Sequence, residues 1–279
     1  MKSGHCNSTA MEQDKANFRA AVYDYYREHG RPFPWRETQD PYRILVSEIM
    51  LQQTQTDRVA GKYDKFIARF PGFASLAAAP LPEVLALWSG LGYNRRALSL
   101  KKLAETVMEQ YDGTLPSDPR RLLELPGIGS YTAAAIAAFA FNQPSVFIET
   151  NIRAVFIHFF FGDAEGVHDR EIMPLVEQTL DKDDPRTWYY ALMDYGVMLK
   201  KLHTNPSRRS AHHKKQSPFK GSNREVRGWI LKALLSRPEM TVAELSEESG
   251  IDRARIGLNL AGLRKEGLVK ENGERYSIA

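Results

Sequence analysis

LPGIGSYTAAAI, Leu125 to Ile136, sets a turn with two glycines between two stretches that read as helices. Before it, Asp118 is placed to cap a helix that opens at Pro119 and runs through Leu122 and Leu123; after it, Thr132 to Phe141 is alanine-rich and apolar, the pattern of a buried helix. Without side chains, Gly127 and Gly129 let the turn take positive φ and let backbone N–H groups at the second helix's N-terminus approach a phosphate directly. The hairpin thus reads as a clamp for a nucleic-acid backbone. A plain helical hairpin with glycine in its turn fits the same residues, so the turn alone leaves both readings open.

With 279 residues, 43% of them apolar, the chain is long enough for one large domain plus a small one with real cores. Its longest apolar run, Ala133 to Phe141, is too short to span a membrane, and the N-terminal MKSGHCNSTAMEQDK has no signal-like hydrophobic region. We expect a cytoplasmic protein, a monomer with no membrane partner. The single cysteine, Cys6, leaves no intrachain disulfide, no cysteine-built zinc site and no four-thiolate iron–sulfur cluster, so no cofactor and no metal site are expected.

The formal net charge of +4 hides a division. Residues 200–279 hold 17 Lys or Arg against 9 Asp or Glu, and the residues before them 21 against 25. Lys200 to Arg224 has eight basic residues and no acidic one, with Pro, Ser and Gly scattered through it, which reads as a linker suited to phosphate contact or merely to solvent. Its histidines, His203, His212 and His213, read as solvated rather than metal-binding. Domain boundaries follow: a core over residues 1–205, a basic linker over 206–223 and a compact C-terminal domain over 224–279.

In that last domain Val226, Ile230, Ala233 and Leu234 share a helical face, Thr241 opens a short helix through Leu245, and Ile256, Leu260 and Leu263 repeat at helical spacing. Strands over Leu268–Glu271 and Glu274–Ile278 flank Asn272 and Gly273, a pair suited to a type I′ turn. Three helices and a hairpin resemble a winged helix. Its third helix would bury the apolar triplet and display Arg253, Arg255, Asn259 and Arg264 to DNA, although winged helices also dock proteins.

Chemistry is expected in the first two hundred residues. Asp40 and Pro41 open a helix through PYRILVSEIMLQQTQ, in which Glu48 sits among apolar residues. A carboxyl that loses hydration there is held protonated closer to neutral pH, as a general acid requires; a glutamate on the solvent face fits the periodicity equally. In VFIETNIRAVFIHFFF, Glu149 is the lone acidic residue, Thr150 is a candidate cap for the next helix, and Arg153 lies one turn on. The helix N-terminus and Arg153 favour an anion at Glu149, with a Glu149–Arg153 ion pair as the structural alternative. Two carboxyls with opposed tendencies make an acid and an anionic stabiliser.

SEIMLQQTQ, LWSGLGYNRRA, LPGIGSYTAAAI, ETNIRAV and ALMDYGVML, in this order, resemble the helix-hairpin-helix DNA glycosylases of the endonuclease III superfamily, and among them the MutY-like adenine DNA glycosylases. The resemblance covers about Phe18 to Lys200. It implies an all-α, two-lobed helix-hairpin-helix core carrying the small α+β winged helix, with double-stranded DNA holding a mismatched or damaged pair as partner and the target base flipped into a pocket. It implies that Glu48 protonates the departing adenine, that Gln53 wedges into the base stack, and that Gly127, Ile128 and Gly129 hold the backbone. Tyr131 stands where bifunctional relatives carry a lysine, which implies water as nucleophile and no lyase activity. Asn151 is implied to order the water or the catalytic carboxylate, and Asp194 to be a further pocket carboxyl.

The chain departs from that pattern in three places. The cysteine quartet that follows ALMDYG in the family is replaced by LKKLHTNPSRRSAHHKK, and the winged helix stands where adenine glycosylases carry their oxoguanine-sensing domain, with Asn94 in place of a second tyrosine. The superfamily's catalytic aspartate is Glu149 here. A carboxylate ~3.5 Å from the developing sugar cation is worth roughly 5 kcal/mol at an effective dielectric of 20. One methylene displaces it by ~1.5 Å and costs roughly 1.4 kcal/mol, about tenfold in rate. A monofunctional adenine glycosylase of base excision repair is therefore the expectation, beside a uracil or thymine mismatch glycosylase and a catalytically impaired DNA-binding protein.

Overall fold

Asp40 accepts a hydrogen bond from the Tyr42 N–H at 2.9 Å and Pro41 is the first helical residue, so this helix starts where the sequence places it. The computed structural model describes the backbone of residues 4–279 and the side chains of residues 13–279, so the thiol of Cys6 and the side chains of most of the N-terminal stretch lie outside the described residues. In chain order the helices are α1 (Gly4–His29), α2 (Pro41–Leu51), α3 (Thr56–Arg69), α4 (Phe73–Ala78), α5 (Leu81–Trp88), α6 (Arg95–Gln110), α7 (Pro119–Glu124) and α8 (Ser130–Phe141). There follow α9 (Thr150–Phe160), α10 (Asp169–Thr179), α11 (Pro185–Leu202), a 3-10 turn (Pro206–Arg209), α12 (Asn223–Ser236), β1 (Met240–Thr241), α13 (Val242–Ser249), α14 (Arg253–Lys265), β2 (Val269–Asn272) and β3 (Arg275–Ile278). Among the described residues the fold is all-α apart from this small C-terminal sheet. No helix among the described residues is long and apolar enough to cross a membrane.

Contacts divide the chain into two units: Met1–Gln39, Ser117–Leu123 and Gly129–Lys215 form one, and Asp40–Pro116, Glu124–Ile128 and Gln216–Ala279 the other. In the first, α11 packs on α1, α8 and α9. Its core is aromatic: Phe18 meets Phe156 and Trp188 edge-on at 5.3 and 5.7 Å, and Phe139 stacks on Tyr190 at 4.7 Å. The 3-10 turn packs on α9 with Pro206 and Ser207 buried, and Val167 bridges to Ser210, so the first residues of the basic linker are part of this unit's packing.

In the second unit α2 packs on α3, and α6 packs on α4 and α5. Val59, Tyr63, Phe66 and Ile67 recur at helical spacing on α3 and are all buried, which is why that charged sequence is helical. The residues from Gln216 onward pack within this unit through α12 on α5. They form the three helices and the hairpin of a winged helix, with strand order β1-β3-β2, all antiparallel.

The hairpin register is one residue from the sequence expectation. Asn272 pairs with Arg275, so the two-residue turn is Gly273–Glu274, with positive φ at Gly273 (62°) alone, as in a type II′ turn rather than I′. On α14, Ile256, Leu260 and Leu263 are buried as expected. Asn259 is buried with them and not displayed, because its amide donates to the Arg255 carbonyl at 2.8 Å.

Candidate active site

Glu149 itself, rather than Thr150, caps α9. Its Oε1 accepts from the Asn151 and Ile152 backbone N–H groups at 2.7 and 3.0 Å, and its Oε2 from the Asn151 side-chain amide at 3.2 Å. The expected partner Arg153 is turned away, bound to Asp169 through two contacts of 2.7 and 2.8 Å. The cation that acts on Glu149 comes instead from α11, where Lys200 Nζ donates to Asn151 Oδ1 at 2.7 Å. Burial is the largest influence on the Glu149 carboxyl and holds it above the usual carboxylate range, opposed by Lys200 and by the three N–H donors. The N-terminus of α9 favours the Glu149 anion as expected, Arg153 is replaced in that role by Lys200, and burial works against both.

In the sequence Lys200 heads the basic run that reads as a linker. It belongs to α11, and burial lowers the Lys200 ammonium from its ordinary value against the pull of Glu149. Gly196, one turn earlier, makes the approach possible: a Cβ there would fall 2.5 Å from the Asn151 carbonyl oxygen and 2.7 Å from its Cβ. Neither residue was singled out from sequence, although a glycine four positions before a lysine on an otherwise bulky helix was the available signal.

Asp194, on the same helix, is buried and gripped by two guanidinium groups. Arg31 contributes its backbone N–H and Nε, each at 2.8 Å, and Arg36 its two terminal nitrogens at 2.8 and 2.9 Å. Burial alone would raise this carboxyl; the Arg36 and Arg31 bonds and charges outweigh it and hold Asp194 below the usual range. Arg36 in turn lies over the Tyr190 ring at 4.5 Å.

In the second unit Glu48 lies on α2 with 8% of its surface exposed, so the solvent-face alternative does not apply. The helix stops at Leu51, four residues before the sequence suggests, and Gln53 stands exposed with φ of 54°, a left-handed conformation that costs a non-glycine residue roughly 1–2 kcal/mol. Arg96 holds this turn. Its guanidinium donates to the carbonyls of Ile49 and Met50 at 2.7 and 3.0 Å, closing the C-terminus of α2, and to Thr54 Oγ1 at 3.0 Å and the Gly92 carbonyl at 3.1 Å. Burial lowers Arg96 to about 10, leaving it charged at neutral pH. The Gly92 turn so tied to Gln53 contains a second strained residue, Tyr93 (φ 46°), whose hydroxyl accepts from Arg224 at 3.2 Å and from Gln216.

The hairpin forms as read, with Asp118 Oδ1 accepting from the Arg120 N–H at 2.9 Å at the start of α7. Only Gly127 has positive φ (79°), and a Cβ on it would also meet Ser99 Cβ at 2.7 Å. Gly129 is extended, stands at the N-cap of α8 with no side-chain cap, and has open space where a side chain would stand. Ile128 is buried and its N–H bonds the Leu125 carbonyl at 3.1 Å, so it anchors the turn. Tyr131 is half-buried, edge-on to Phe147 at 5.6 Å. On the winged helix Arg253 is exposed, and Arg255 donates to the Gly221 carbonyl at 2.6 Å.

A four-thiolate cluster does not fit this chain, which has one cysteine and places the buried Pro206, Ser207 and Ser210 after α11. Among the described residues no three His, Cys, Asp or Glu side chains are grouped to hold a metal ion.

Residues 46–180 match the family model of the HhH-GPD superfamily base excision DNA repair proteins, and residues 224–278 that of the sugar-specific transcriptional regulator TrmB. The chain is 33% identical over 281 residues to an adenine DNA glycosylase of Mycolicibacterium smegmatis, covering 92% of this chain and 93% of that protein. It is 36% identical over 194 residues to an adenine DNA glycosylase of Buchnera aphidicola, covering 68% of this chain but only 54% of that protein. Among solved structures it is similar to a thermostable thymine-DNA glycosylase, with a TM-score of 0.62 and 27% identity over 71% of this chain and 92% of that one. Alignment with the Mycolicibacterium protein over nearly the whole length of both chains places this chain in the HhH-GPD superfamily of base excision DNA repair proteins.

Proposed function

We propose that the chain is a monofunctional DNA glycosylase of base excision repair that hydrolyses the N-glycosidic bond of a flipped adenine in a mismatched pair. The observation that carries this reading is the Glu149 carboxylate, fixed by three N–H donors at the N-terminus of α9 and faced by Lys200. A negative charge fixed before reaction stabilises the oxocarbenium character of the sugar without reorganising. Glu48, buried on α2, is the proposed donor to the adenine, so that the base leaves neutral. Asn151 is proposed to orient Glu149, and water to be the nucleophile, since Tyr131 offers no amine.

DNA is proposed to be held by the N–H groups around Gly127 and Gly129, with Ile128 fixing the turn. Gln53 is the proposed wedge; an exposed side chain on a strained, guanidinium-braced turn is held rigid for insertion. Arg253 and Arg255 are proposed DNA contacts of the winged helix, and Asp194 is proposed to support the pocket from within rather than to touch the base. We take the glycosylase core, bounded at residue 205 from sequence, to include the packed turn through Ser210, the rest of 206–223 as linker and 224–279 as the winged helix, in a cytoplasmic monomer without cofactor.

Similarity to a thymine-DNA glycosylase supports a second reading, removal of thymine or uracil from a mismatch with G. One assay separates the readings. The protein is incubated with duplexes bearing A opposite 8-oxoguanine, A opposite G, U opposite G and T opposite G, then heated in alkali. Cleavage at adenine is expected; cleavage only at U or T supports the second reading, and retention on a gel without cleavage supports a DNA-binding protein that has lost catalysis.

A further inference from the structure

Asn151 stands between a cation and an anion, and an amide can face them in only one way. Its Nδ2 donates to Glu149 Oε2 at 3.2 Å and its Oδ1 accepts from Lys200 Nζ at 2.7 Å. An ammonium has three donors and no acceptor, and an ionised carboxylate only acceptors. Flipping the amide would set donor against donor at Lys200 and acceptor against acceptor at Glu149.

We propose that Lys200 is a positioning residue for Glu149, locking the Asn151 amide in the orientation that donates to the carboxylate and supplying the positive charge that faces it from α11. This rests on the glycosylase reading of Glu149. Glutamate has one more rotatable bond than the aspartate of the resembled family, so an ordered carboxylate must be restrained from outside. Among the described residues Lys200 is the cation that acts on Glu149, and Arg19 of α1, the helix that meets α9 through Phe18, is bound to Asp181. Arg153 of α9 is bound to Asp169 of α10, and Arg209 of the 3-10 turn bears on His158, which is also faced by His203. The approach of α11 is built in by Gly196, whose place over Asn151 admits no Cβ.

The test compares Lys200→Met, Lys200→Gln and Lys200→Arg. Two readouts follow the Glu149 charge: a carbon-13 titration of the Glu149 carboxyl, which needs no substrate, and the pH dependence of single-turnover excision. Lys200 favours the anion, so removing it raises the pH at which Glu149 ionises and moves the acidic limb of the rate profile upward. Lys200→Met is expected to raise both by about one pH unit and to slow excision by about tenfold at pH values below the wild-type limb. Lys200→Gln keeps a donor for Asn151 without the charge, and is expected to show the same upward shift with a smaller loss of rate. Lys200→Arg keeps the charge and is expected to hold the wild-type limb.

A slower Lys200→Met or Lys200→Gln protein with an unmoved Glu149 titration and limb would make the lysine a packing residue and overturn the proposal. Should Lys200→Met fail to fold, Lys200→Gln decides by the same two readouts. If the wild-type protein excises no base, the glycosylase reading fails separately, and the carboxyl titration still decides what Lys200 does to Glu149.

Discussion

Glu149 and Asp194 are carboxylates of the same unit, the first half-buried and the second buried, and their surroundings push them in opposite directions. Asp194 receives two guanidinium groups and a backbone N–H, so its charge is matched and it lies below the usual carboxylate range. Glu149 receives uncharged N–H donors directly and its cation only through Asn151, so burial prevails and it lies above that range. A fully neutralised carboxylate stabilises a fold and has little capacity left for a substrate. An incompletely neutralised one is poorly solvated until a positive charge arrives, which is what a cleaving glycosidic bond supplies.

The largest separation of the two roles is expected from Glu149→Gln. Excision should fall by about a thousandfold or more, since a charge worth roughly 5 kcal/mol is removed, while thermal melting stays near that of the wild type because the amide oxygen still caps α9. A protein that melts far earlier would place Glu149 in the same class as Asp194. Asp194→Ala is expected to act the other way. Stripping one partner from a buried ion cluster costs about 3–5 kcal/mol of stability, read by denaturant titration, while excision per folded molecule falls less than in Glu149→Gln.

Smaller effects follow from length and from proton binding. Glu149→Asp should preserve or raise the excision rate, by at most about tenfold, if the extra methylene merely displaces the charge. A hundredfold drop would show a site rebuilt around glutamate. On acidification the two carboxyls should part company. Glu149 is raised in the folded protein, so its anion is lost as pH falls through that raised value, and excision goes with it. Asp194 is depressed, so its stabilisation is complete above the ordinary carboxylate range and is lost only when pH falls through its lowered folded value. A mildly acidic window should therefore hold folded, inactive protein, as circular dichroism and single-turnover rates at matched pH would show; coincident loss of both would contradict the contrast.

What could be read from sequence is what local chemistry decides. Asp118, Pro119 and the alanine run fix the hairpin helices within a few residues, and Asp40 with Pro41 fixes the start of α2. The end of α2 is decided elsewhere: Arg96, from α6, takes the carbonyls of Ile49 and Met50 and braces the left-handed turn at Gln53. The identity of Glu149 as a lone carboxyl among apolar residues was visible, but its electrostatics were not. Helical spacing offered Arg153, and tertiary structure gave that residue to Asp169 and brought Lys200 instead. Asn259 shows the same limit, since a polar residue at an exposed-looking position is buried once its amide bonds its own helix.

The most direct trial of the proposed mechanism concerns the other carboxyl, Glu48. Single-turnover excision of adenine opposite 8-oxoguanine should be abolished in Glu48→Gln, which cannot deliver the proton, while affinity for the same duplex stays within about threefold of wild type, a change of well under 1 kcal/mol. Undiminished excision by that variant would remove Glu48 as the acid and with it the two-carboxylate account.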